Sequence, residues 1–219
     1  MSRPAFYALE RGGWRDYVTL LHLPYTAWHL SYVVIGATLS PEFAGRRLLA
    51  ALASFFLALG IGAHALDELN GRPLRTEVPN RVLIGLAAVS IAAATVVGIG
   101  AALVWTPWLL GFVAVGAFLV VAYNLELFGG AFHTDLWFGL AWGAFPLLAG
   151  YFVVAEELRP EALLAATLRA EEGGPTGSLL GGLLDVGRRP HVRLHPGHRP
   201  GRAHRHRVRH RLSQRLPHR

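Results

Sequence analysis

The chain has 219 residues, 53% of them hydrophobic and 16% charged, with no cysteine and no lysine. So little charge on so apolar a chain excludes an ordinary soluble domain, and the missing cysteines exclude disulfides, thiolate nucleophiles and cysteine-ligated zinc. The formal net charge of +7 is lopsided: from Gly187 onward there are eleven Arg, seven His and no acid, while the preceding residues carry ten Arg against fourteen acids, a net of −4.

Residues 1–17 form an N-terminal segment that holds Arg3, Arg11 and Arg15. Uncharged runs then extend from Val18 to Pro41, Leu48 to Leu66, Val82 to Leu125 and Leu136 to Ala155. A helix needs roughly 20 apolar residues to cross a hydrocarbon core about 30 Å thick, and each run is long enough. The Val82 to Leu125 run has length for two crossings, with WTPW at 105–108 as the turn between them, a proline flanked by interfacial tryptophans. Five spans result. A sixth begins at Glu161, but EALLAATLRA is too short to cross by itself. The expected architecture is all-α, a polytopic transmembrane bundle of five to six spans over residues 18–170. No small-residue cleavage site follows a short apolar core, so a removable signal peptide is not expected.

Arginine placement orients the bundle. With the N-terminus inside, the inner segments hold Arg3, Arg11, Arg15, Arg72, Arg75 and Arg81, against Arg46, Arg47 and Arg159 outside. The chain is therefore expected in the cell membrane as a multi-pass protein with a cytoplasmic N-terminus. The glycine pairs 60/62, 98/100, 111/116 and 139/143 read as close helix packing, and Pro146 as a kink.

Residues 171–219 break from this pattern. An Arg/His/Pro-rich end so polar cannot bury enough surface to order itself, which predicts disorder. As a cationic arm it would meet anionic lipid or nucleic acid, and its histidines a metal; nucleic acid is not favoured as a partner. The same mixture of Arg, Pro, Gly, His and Ala is what out-of-frame translation of GC-rich DNA produces, so a frameshift is the competing origin.

The chemistry-bearing stretch is GIGAHALDELNGRPL at 60–74. Ionisable groups at the end of a membrane helix are costly to bury and often mark a site, although they also simply end helices in the headgroup layer. In a helix, His64 shares a face with Asp67 and Glu68, and Asp67 with Asn70 and Gly71. Asp67, Glu68 and Asn70 thus direct oxygen ligands into one volume, as Mg²⁺ requires when one or two carboxylates, water and a substrate's phosphates complete its shell. Arg72 and Arg75 would hold a diphosphate, Arg72 as a bidentate fork. Tyr25, Trp28, His29 and Tyr32 gather on the first long helix as interface anchors, core or cavity lining. In FHTD, Thr134 or Asp135 reads as a helix cap beside His133.

Over residues 18–155 the chain resembles UbiA-type intramembrane prenyltransferases. The similarity lies in LHLPYTAWHLSYVVIGATLS, in GIGAHALDELNGRPL and in YNLELFGGAFHTDLWFGLAWGAFPLLAGYF, in that order and spacing. The resemblance implies a larger helical bundle with a central cavity and two aspartate-rich motifs that bind an isoprenyl diphosphate through Mg²⁺, with transfer of the isoprenyl group to a hydrophobic acceptor. It places His22, Tyr123 and Asn124 near the substrate. Setting Asp67 on the middle aspartate of the first motif puts Ala63, His64 and Gly71 at its other defining positions. After Ala170 nothing resembles the later helices, and Asp185 stands alone, so the chain reads as a truncated first half. The alternative is a noncatalytic homologue that binds membrane lipid or a protein partner.

Overall fold

The computed structural model describes residues 5–172, which fall within one compact unit. The described residues are all-helical, without strands. A short α1 (Trp14–Leu20) is followed by α2 (Leu23–Leu39), α3 (Gly45–Leu69), α4 (Asn80–Val104), α5 (Leu109–Asn124), α6 (Asp135–Ala155) and α7 (Pro160–Glu172). Three of these, α3, α4 and α6, are long and apolar enough to cross a membrane. The 16-residue α5 is apolar but shorter, and α7, where a sixth span was expected, has 13 residues and is too short. The segment 173–219, which contains nearly all of the basic tail, lies outside the described residues.

Helix α4 shows why water is a poor solvent for this fold. Ile84, Val89, Val96, Leu103 and Val104 are all more than half exposed along it, an apolar surface that soluble monomers rarely present. Lipid would accept it at no cost.

Small residues set the packing. Helix α2 lies antiparallel to α6, with Gly36 against the Leu147 carbonyl and Gly150 against the Val33 carbonyl; a Cβ at either position would collide with backbone. Helix α7 fits the same way, its Ala170 and Arg169 carbonyls seated on Gly139 and Gly143. Most of the glycines that the sequence marks as packing sites do meet a neighbour, whereas Gly100 and Gly111 face open space.

Two helices are locally widened. The stretch Phe56–Ala63 in α3 and the stretch Gly139–Ala144 in α6 are wound as π-helix, a form frequent at functional sites. The second lies just before Pro146, whose ring cannot donate the next helical hydrogen bond. The expected kink therefore takes the form of a widened turn, and it carries Trp142.

At the end of the bundle opposite Asp67, Arg47 of α3 donates to the carbonyls of Val153 (3.4 Å) and Val154 (3.2 Å), pairs with Glu156, and covers the Trp105 ring at 5.5 Å. It neutralises the carbonyl end of α6. This structural employment explains an arginine on the side that the charge bias disfavours.

Candidate functional site

The C-terminal turn of α3 delivers Asp67 and Glu68 to a loop, residues 70–79, that packs under the N-terminal segment. The two carboxylates part company there. Glu68 is completely buried. Its Oε2 accepts from the Leu74 N–H (2.9 Å), and its Oε1 accepts from the Thr76 N–H (2.7 Å) and the Thr76 hydroxyl (2.8 Å). A second buried acid, Asp16 of α1, holds the same loop from the other side: it accepts from the Glu77 N–H at 2.8 Å and from the Gly12 N–H at 3.1 Å. Three bonds at one carboxyl group and two at the other satisfy four amides and a hydroxyl that would otherwise be stranded.

Arg72 completes the lock. Its Nη1 donates to the carbonyls of Thr76 (2.9 Å) and Val78 (2.8 Å), and its Nη2 donates to Asn80 Oδ1. The fork expected to grip a diphosphate grips its own loop instead. Arg75 is exposed on that loop with φ of 54°. Asn70 donates its amide to the Asn124 carbonyl (3.1 Å), and the buried Asn124 side chain donates to the Val120 carbonyl (2.6 Å). The structure thus brings Asp67, Asn70 and Asn124 to one end of the bundle.

Asp67 makes no hydrogen bond among the described residues and lies within electrostatic reach of His133, Glu68 and Glu126. His133 stacks on Tyr123 with ring centroids 4.5 Å apart, and its Nδ1 lies 3.1 Å from the Tyr123 carbonyl. Thr134 caps α6, accepting from the Trp137 N–H. His22 joins an aromatic group with Tyr7 (4.7 Å), Tyr25 (4.6 Å) and His64 (4.7 Å). Burial, with a smaller contribution from Tyr25, pushes the Tyr7 hydroxyl up to about 12, so this ring stays neutral.

Mg²⁺ would need hard oxygen donors free to turn toward it. Glu68 has both oxygens committed to the loop, Asn70 is held to α5 through its Nδ2 donor, which leaves its Oδ1 out of that bond, and no three His, Asp or Glu side chains converge among the described residues. Asp67 is left as a single carboxylate. The described residues do not by themselves make a Mg²⁺ site.

The resemblance implied a central cavity, and an apolar cleft does lie within the bundle. Helices α3, α4, α5 and α6 line this cleft of about 120 Å³. One face of each helix supplies a wall, as in Ala51, Phe55 and Ala58 of α3 or Phe112, Gly116 and Val120 of α5. The lining includes two hydroxyls, and both are spent on helix carbonyls: Ser54 donates to Ala94 (3.4 Å) and Thr95 to Ile91 (2.8 Å). Water entering here would find few partners. Toward Asp67 the cleft reaches Leu59, Val120 and Trp142, and the Trp142 ring lies 5.2 Å from Tyr123 and 5.9 Å from the buried His29.

Asp16, Thr76 and Trp142 were missed as members of this end of the molecule. Asp16 is separated from its partner Glu77 by 61 positions, and no local pattern signals such a contact. His29 stood in an aromatic cluster that offered cavity lining as one reading, and it lies against Trp142, a cleft residue. Comparison with protein-family models, with curated proteins and with solved structures finds no match to this chain.

Proposed function

We propose that the chain is a multi-pass membrane protein that binds the hydrocarbon tail of an isoprenoid lipid in the four-helix cleft, with the lipid's polar head at the Asp67 end. The observation that carries this reading is the cleft itself, apolar along its length and leading toward the Asp67, Asn70 and Asn124 group. On this reading α2 and α5 cross the bilayer with the three longer helices, and the N-terminus and the 70–79 loop face the cytoplasm of a cell membrane. Glu68, Asp16 and Arg72 hold the loop that closes the bundle beneath the head, while Arg75, exposed on the same loop, is placed to meet an anionic headgroup.

The second reading is that of the UbiA-type resemblance: transfer of an isoprenyl group from its diphosphate to a hydrophobic acceptor, with Mg²⁺. The unengaged Asp67 carboxylate beyond the end of an apolar cleft favours it. Binding of an isoprenyl diphosphate to the purified full chain in nanodiscs, with and without Mg²⁺, separates the two. Lipid binding predicts affinity that changes less than twofold on adding Mg²⁺ and on Asp67→Asn. An affinity that falls by tenfold or more when Mg²⁺ is withheld or on Asp67→Asn would support the metal-dependent reading and overturn the first. No affinity for any isoprenoid amphiphile would overturn both.

A further inference from the structure

The cleft has two ends, and their contrast carries a statement about what fits. Its walls follow the helices over their length: Leu109 to Val120 on α5, Ile91 to Ala101 on α4 and Trp142 to Val153 on α6. At the Asp67 end the lining gives way to Trp142, beside Tyr123. At the far end a plug closes it. Ala102, Leu109, Phe152 and Val153 are buried together there, with Leu48, Trp105 and Phe112 packed around them. Phe112 stacks on Phe152 with centroids 4.9 Å apart and lies 5.9 Å from Phe145. Arg47 seals the outside of this plug by covering Trp105 and binding the end of α6.

From this geometry we infer that the cleft is a length-selective site for one hydrocarbon chain, with Phe112 as its end stop. The inference rests on the lipid-tail reading above and adds a limit to it. From Phe112 to Val120 the helical rise of about 1.5 Å per residue amounts to roughly 12 Å, the reach of about 9 methylenes or about 2 isoprene units. Within that reach each added methylene leaves water for an apolar wall and tightens binding about fourfold. Beyond it, the chain meets the Phe112 and Phe152 rings, and further methylenes contribute nothing or must displace a packed core.

The test uses the full chain in nanodiscs, titrated with straight-chain alkyl phosphates and with isoprenyl phosphates of graded length; the two series distinguish fatty from isoprenoid tails. The expected result is affinity that climbs with length and then breaks at about 12 Å of extended chain in whichever series binds. Phe112→Ala moves the break to longer chains, and Ala101→Phe, which fills the far end from α4, moves it to shorter ones. Phe112→Leu is the milder replacement should the alanine variant not fold. Affinity that climbs without a break, or a break that none of these substitutions moves, overturns the length limit while leaving lipid binding intact. Failure of every chain in both series to bind overturns the lipid-tail reading itself, and the limit falls with it.

Discussion

Asp67 and Glu68 are adjacent in sequence and opposite in employment. A helix turns about 100° per residue, so adjacent side chains cannot share a direction, and here Glu68 points into the 70–79 loop while Asp67 is left unengaged. Glu68→Ala removes the acceptor for two backbone amides and a hydroxyl in a buried place. Stranded donors cost about 1–3 kcal/mol each, so the expected loss of stability is about 3 kcal/mol or more. Asp67→Asn breaks no hydrogen bond among the described residues and should stay within about 0.5 kcal/mol of the parent. Thermal unfolding in detergent of both variants checks the pair; equal losses would mean that the loop is not held as described. The acidic pair was legible as a special place at a helix end. Which acid holds the loop was not, because that depends on where residues 74 and 76 return in space.

The helices meet through missing side chains. Gly36 and Gly150 bring α2 and α6 to backbone contact, so Gly36→Val or Gly150→Val forces the two axes apart and should cost about 2–4 kcal/mol. Gly111 sits in α5 with nothing near its missing Cβ and with ordinary helical φ, so Gly111→Ala should stabilise by about 0.5–1 kcal/mol through helix propensity. Chemical denaturation of the three variants in mixed micelles separates contact glycines from idle ones. Small residues in apolar runs announce close packing in general. They do not say which partner each will meet, and the closest approach, Gly36 on the Leu147 carbonyl, was absent from the glycines singled out in the sequence because Gly36 is the one glycine in its uncharged run.

At the scale of the whole molecule, the alternation of α2 to α6 places the 70–79 loop and the Glu156–Arg159 turn at opposite ends of the bundle. The chain has no native cysteine, so a single introduced thiol reports its side of the membrane without background. With a cytoplasmic N-terminus, Glu77→Cys should react with a membrane-impermeant maleimide only after cells are opened, and Glu157→Cys should react in intact cells. The reverse pattern would invert the topology and place the Asp67 end outside. The arginine bias alone argued this orientation against three contrary residues, and the structure gives one of them, Arg47, a structural task.

The sequence by itself determined that the chain is helical and membrane-compatible, and that something polar happens after residue 66. Both follow from one-dimensional quantities: the length of uncharged runs set against a hydrocarbon thickness, and the position of the first acids behind them. Only the tertiary structure decided that Arg72 grips its own loop, that Asp16 reaches across to Glu77, and that four helix faces leave an apolar cleft in which Phe112 stacks on Phe152. Those facts depend on which surfaces meet once the helices pack. A carboxylate's partners and a cavity's depth are properties of residues far apart in the chain, and no local pattern encodes them.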